Sequence, residues 1–392
     1  MSVAPRVMRL FRRVTTSGGY VPEIDGLRFV AIMPVLAFHL WGYWGRIEQR
    51  PYPDPWPLDY VLNFLVSLGH YGVHLFFMIS GFVLATPFSK HALEGAPAVD
   101  LKRYFWRRIT RLEPPYVVSM LLFFLVAPLA AKGSWADLFP HLLASLGYVH
   151  ELVYGTGSPI NNNAWSLEIE VQFYLLMPLL ASVLWLPPVP RRILMACVIA
   201  ILSTHALWLS PTAPRTIVQY GQFFLTGVLL NDLWTTGWRD TARSMSADVP
   251  GVTAWPAFFA ANIFGSSLFV DLVAPWIIAG LFYSALRGRC HSAILAYGAI
   301  PLIGGMCYSI YLLHARVIAL TVHAVGAAIP STGSFCVEFT IAFVICTVAV
   351  LIVSGCFFLL IEKPCMDPQW PQHLYARLGG MWRERRLQGA GK

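Results

Sequence analysis

The feature that most constrains this chain is a recurrence of apolar runs long enough to cross about 30 Å of hydrocarbon. They follow one another between residues 27 and 361 with short polar stretches between them. Composition agrees. Of the 392 residues, 57% are hydrophobic and 12% are charged, whereas a soluble domain carries about 25% charged residues. The pattern predicts an all-α integral membrane protein, a bundle of about ten transmembrane helices. Their expected positions are 27–45, 71–88, 114–131, 165–186, 193–210, 216–234, 252–268, 270–287, 302–326 and 336–361. Pro114 and Pro115 suit the first turn of the third helix, where a missing N–H does no harm.

The net charge of +8 does not point to a nucleic-acid partner, because the basic residues sit in short loops between spans. With the N-terminus in the cytoplasm, inside loops hold Arg6, Arg9, Arg12, Arg13, Lys90 and "KRYFWRRITR". They also hold Arg191, Arg192, Arg239, Arg243, Arg287, Arg289 and the C-terminal "WRERR". Outside loops hold Arg46, Arg50, Lys132 and Arg215. The asymmetry predicts both termini in the cytoplasm, which an even number of spans satisfies. The expected organisation is a basic tail over 1–26, a membrane domain over 27–364 and a cytoplasmic tail over 365–392. Neither a cleavable signal peptide nor an appended soluble domain is expected. The seven cysteines show no metal-ligand spacing, so no metal is expected and they read as small packing residues.

Polar residues inside such runs are costly and mark functional sites. Arg28 and His39 are eleven residues apart, three turns along one helix face and about 16 Å in height. Running the opposite way, the fourth helix brings Glu170 to a depth close to that of His39. Ser80 and His314 fall near the same level on two further helices. Glu168 points about 200° away from Glu170, toward the outer loops. A histidine alone is equally read as a hydrogen bond between helices; a carboxylate at the same depth favours chemistry. In "KRYFWRRITR", Arg103, Arg107 and Arg111 form one helical stripe with Arg108 alongside. They suit anionic lipid or a phosphate clamp, and spacing leaves both open.

Taken together, "EIDGLRFVAIMPVLAFH", "LFFMISGF", "RRITRLEPPY", "NNNAWSLEIEVQFYLL", "CYSIYLLH" and "IEKP" resemble, in order over residues 22–364, the acyltransferase-3 family. These are bacterial multi-span membrane acyltransferases, among them O-acetylases of surface glycans and nodulation factors and macrolide acyltransferases. The resemblance implies a ten-helix core in the cytoplasmic (inner) membrane. It implies acetyl or another short acyl group taken from acyl-CoA, with no permanently bound cofactor, and passed to a hydroxyl of a carbohydrate or glycolipid, with a small molecule such as a macrolide as the alternative acceptor. It makes His39 the essential residue, places the family glutamate on Glu170, and gives Arg28, Arg107, Arg108 and Arg111 to the CoA donor. His74 stands where many members carry an acidic residue. The hydrolase-like domain fused to some members is not seen, so a second transfer step by this chain is not expected.

The mechanism that follows has neutral His39 as general base for the acceptor hydroxyl, with Glu170 orienting the imidazole. An acyl-imidazole on His39 is the second form. Ser80, Tyr311 and His314 are the candidate oxyanion donors. The rival from another class is a proton-coupled transporter relaying protons through His39 and Glu170. It predicts a two-fold internal repeat, and none is visible.

Overall fold

The computed structural model describes residues 10–11, 13, 20–47, 57–130, 133–210, 212–329 and 332–372. Arg6, Arg9, Arg12, Arg50, Lys132, "WRERR" and most of the Pro-rich "RPYPDPWP" lie outside the described residues. Among the described residues the chain is helical and has no strand. The membrane-length elements are α1 (Pro22–Ile47), α2 (Pro57–Ser67) running through a tight turn into α3 (Gly72–Glu94), and α4 (Leu101–Val126). Short α5 (Trp135–Leu146) and α6 (His150–Tyr154) follow, then α7 (Trp165–Leu180), α8 (Pro188–Ser203) and α9 (Ile217–Leu233). The chain closes with α10 (Val249–Phe264), α11 (Ser267–Arg287), α12 (Arg289–Leu295), α13 (Ile300–Gly305), α14 (Cys307–Val325) and α15 (Phe335–Phe357).

Among the described residues seven helical stretches are long and apolar enough to cross a membrane. The other three expected spans correspond to α8, α9 and α10, of 16, 17 and 16 residues. At 1.5 Å per residue these reach about 24–26 Å, short of a full hydrocarbon core.

One expectation is corrected. Pro114 and Pro115 lie inside α4, which starts thirteen residues earlier than Pro114 at Leu101. Asp100 sets that start by accepting the Arg103 N–H at 3.2 Å. The helix then runs through both prolines. Pro114 cannot donate to the Thr110 carbonyl four residues back, and the indole N–H of Trp370 supplies the missing bond at 2.9 Å. The basic stretch and the following apolar span are thus one rod, with the arginines held at fixed angles.

Several of the buried acids are helix caps. Asp59 accepts from the N–H groups of Phe335 and Cys336 at the start of α15. Asp248 does the same for Arg289, Cys290 and His291 at α12. Helix N-termini carry orphan N–H groups and partial positive charge, so a carboxylate there is stabilising.

The centre is fixed by close packing of α3 on α9. A Cβ on Gly81 would lie 2.1 Å from the Phe224 carbonyl oxygen, and one on Gly227 would lie 2.1 Å from that of Met78. In hydrocarbon, small residues let two backbones approach and gain van der Waals contact. This contact sets the height of Ser80, the residue before Gly81.

Candidate active site

Basic residues gather first. Arg28, nearly two turns into α1, pairs with Asp25, and the same carboxylate accepts from Arg13 Nη1 at 3.2 Å. Arg13 comes from the segment before α1, which is pinned at two points. Lys363 Nζ donates to the Leu10 carbonyl at 2.5 Å, and the Phe11 ring stacks on Phe358 at 6.5 Å. Arg108 and Arg111 reach in from α4. With Arg13 and Arg28 they line one cavity of about 120 Å³. Arg108 also lies over the rings of Tyr104 and Tyr174, 5.6 and 5.7 Å from their centroids.

This cavity has unmet hydrogen-bonding capacity. The Nε–H groups of Arg13, Arg108 and Arg111 are buried with no hydrogen-bond partner among the described residues. Buried donors in native structures are almost always satisfied, so three orphans around one space fit an anionic ligand. Burial, with Arg111 and Arg28 close by, pushes the Arg13 guanidinium below its ordinary value, Asp25 opposing. A phosphate arriving there relieves that repulsion.

Further along the cavity stand Ser80 and Glu170. The Ser80 hydroxyl donates to Glu170 Oε1 at 2.6 Å, joining α3 to α7. Glu168, two residues earlier, turns the other way as expected and accepts the Glu151 N–H at 2.9 Å, capping α6. At the far end Tyr311 and Ser166, which line the same cavity, share a hydrogen bond of 2.5 Å. The Tyr311 hydroxyl also donates to the Asn163 carbonyl at 3.3 Å.

Beyond Tyr311 lie the histidines. His314 is completely buried, and its ring meets that of His39 edge to face, with centroids 4.7 Å apart. His39 is half-buried and does not line the arginine cavity. The expected polar layer therefore resolves into two pairs, Ser80 with Glu170 and His39 with His314. Glu170 holds the Ser80 hydroxyl, and the His314 ring packs on the His39 imidazole.

The expected arginines divide as well. Arg108 and Arg111, three apart, share the cavity, while Arg107 is half-buried outside its lining and Arg103 is exposed. His74 packs among aromatic rings, 4.8 Å from Tyr71 and 4.5 Å from Phe223, away from that lining. Arg13, Asp25, Asn163 and Ser166 were missed as site residues. Arg13 carried only a topological signal, and the asparagine served as a cap; neither position has a periodicity that points inward. Among the described residues no group of acids, histidines and cysteines has the geometry to hold a metal ion.

Comparison with known proteins agrees with the motif order. The acyltransferase domain family matches residues 21–359. A peptidoglycan O-acetyltransferase, OatA of Listeria monocytogenes, is 26% identical over 85% of this chain, which spans 55% of that relative's length. The acyltransferase MdmB of Streptomyces mycarofaciens is 26% identical over 92% of this chain and 93% of its own. No solved structure matches. The family match covers most of the chain and includes both polar pairs and three of the four cavity arginines, Arg28, Arg108 and Arg111, so this all-helical, multi-span membrane protein belongs to the acyltransferase-3 family.

Proposed function

We propose that the protein is an O-acyltransferase of the bacterial cytoplasmic membrane, with ten spans and both termini in the cytoplasm. It moves an acetyl or other short acyl group from acyl-CoA to a hydroxyl of a cell-surface carbohydrate. The observation that carries this reading is the cavity with four arginines and three unsatisfied buried Nε–H groups. CoA bears several phosphates, and guanidinium forks match phosphate oxygens. The thin pantetheine arm then runs up the cavity past Ser80 and Glu170 toward Tyr311.

In this reading His39 is the base. The neutral imidazole removes the proton of the acceptor hydroxyl as its oxygen attacks the thioester carbonyl, and CoA leaves as the thiolate. The Ser80 and Tyr311 hydroxyls lie on the donor path and serve as the oxyanion donors. Contact between thioester and His39 requires Tyr311 to move aside, because His39 lies outside the cavity lining. The carbohydrate acceptor follows from the similarity to the Listeria peptidoglycan O-acetyltransferase.

The test is transfer of radiolabel from acetyl-CoA to extracted envelope glycans by membranes holding wild type, His39→Ala or Arg111→Ala. Wild type transfers label. His39→Ala falls by at least a hundredfold, the contribution of a positioned base. Arg111→Ala raises KM for acetyl-CoA about tenfold, in line with one lost charge-assisted contact. Equal label with wild type and His39→Ala overturns the reading.

A further inference from the structure

We infer that Asn163 is a positioning residue for His39, acting through His314; the inference rests on His39 being the base. Asn163 belongs to the single turn Asn162–Ala164 just before α7. Its backbone is fixed at both ends. The N–H donates to Asn161 Oδ1 at 3.2 Å, and the carbonyl lies 3.2 Å from the Ser166 hydroxyl and 3.3 Å from that of Tyr311, one donating to it while the other donates across the contact between them. Asn161 is itself tied across to α14 by its amide on the Leu312 carbonyl, at 3.2 Å. The Asn163 side chain is buried, and its Nδ2 lies 3.4 Å from His314 Nε2.

The other ring nitrogen of His314 settles the tautomer. Nδ1 is 2.9 Å from the Tyr311 carbonyl oxygen and 3.1 Å from that of Ile310. Carbonyl oxygens only accept, so Nδ1 carries the hydrogen. A neutral imidazole then presents Nε2 as an acceptor, and the Asn163 amide is the donor that fills it. With both nitrogens engaged, His314 is held in one tautomer and one orientation, edge against the His39 ring. The consequence concerns charge. When His39 takes the acceptor's proton it becomes an imidazolium, and the ring 4.7 Å away stays neutral and does not oppose it.

Other titratable groups face this pair from the packed elements. Tyr311 of α14 packs on the His314 ring at 5.6 Å, and His70, in the turn before α3, meets the Phe38 ring that also packs on His39. None of them replaces the amide at Nε2. The chemistry here is therefore that of a side-chain amide used as an obligate donor, which aspartate cannot imitate.

The experiment uses the full chain in nanodiscs, with radiolabelled acetyl-CoA as donor and the envelope glycan fraction as acceptor. Wild type, Asn163→Ala, Asn163→Asp and His39→Ala are compared. For Asn163→Ala, kcat falls about ten- to a hundredfold, the cost of a base displaced by a fraction of an ångström. KM for acetyl-CoA stays within about twofold, since Asn163 does not line the donor cavity. The ¹⁵N signals of His314 move from a single Nδ1–H tautomer to a mixture. The nearly isosteric Asn163→Asp serves if the alanine variant folds poorly; its carboxylate accepts from Nε2–H, so His314 acquires the doubly protonated signature and kcat falls as far. Full kcat in either variant, or a fall in kcat with the His314 signature unchanged, overturns the inference. Should His39→Ala transfer label as wild type does, the reading beneath it fails first.

Discussion

At the residue scale, what separates this chain from an inert helical bundle is how each costly polar group is satisfied. Asp59, Asp100, Asp248 and Glu168 cap helices. Glu170 caps nothing and takes a hydroxyl inside the arginine cavity. The distinction is testable at Asp248, which precedes α10 and caps α12. Its carboxyl is raised by burial and lowered more by the N–H groups of Cys290 and His291 and by the His291 ring, leaving it well below the ordinary aspartate value. A carboxylate depressed in the folded state contributes stability in full above about pH 4 and loses it as the pH falls further. Thermal unfolding in detergent is therefore expected to weaken steadily between pH 4 and pH 2. In Asp248→Asn that part of the slope is reduced and the Tm at pH 7 is lower. An identical slope in the variant assigns the acid sensitivity to other groups.

At the element scale, α4 joins recognition to the membrane. Two consecutive prolines read naturally as a helix start, yet here the helix passes through them because its freed carbonyl finds an indole from a distant part of the chain. The pairing makes a specific prediction. Trp370→Phe leaves the Thr110 carbonyl without its donor and costs about 1 kcal/mol of stability. In a Pro114→Ala background residue 114 regains an N–H, and the same Trp370→Phe change costs close to nothing. Denaturation of the four proteins as a double-mutant cycle reads the coupling directly; additive costs mean the indole bond carries no weight. Helical spacing does not separate these arginines: Arg107 and Arg108 lie about 40° and 60° from Arg111 on its two sides, and packing turns only the Arg108 side toward the cavity.

At the scale of the whole molecule, the charges define a direction. The cavity arginines lie toward the ends of helices that carry the basic loops, and the His39–His314 pair lies beyond Tyr311 at the other end of the path. In the proposed reaction donor and acceptor approach from opposite faces. Inverted vesicles, with the cytoplasmic face outward, are expected to consume added acetyl-CoA at once, and right-side-out vesicles only after permeabilisation. Equal rates in both preparations remove the sidedness. Raising the salt concentration screens the arginine cluster and weakens acetyl-CoA binding, with pantetheine, which lacks the nucleotide phosphates, as the control.

The amino-acid sequence by itself determined the helical membrane class, the family motifs and the residue types of the site, because hydrocarbon forbids unsatisfied backbone and makes each buried Arg, His and Glu conspicuous against apolar neighbours. It determined as well that Glu168 and Glu170 face apart, since helical geometry alone fixes that angle. Which polar groups meet was decided only by the tertiary structure. Depth counted along a helix puts His39, Ser80, Glu170 and His314 at one level, but pairing depends on how the helices turn and approach one another. The Gly81–Phe224 and Gly227–Met78 contacts set that approach for α3, which takes Ser80 to Glu170 and leaves His39 to His314. Asn163 entered the site in the same way, by its contact with His314, 151 residues away, and Arg13 by the bond of Lys363 to Leu10, 353 residues away; neither leaves a local trace.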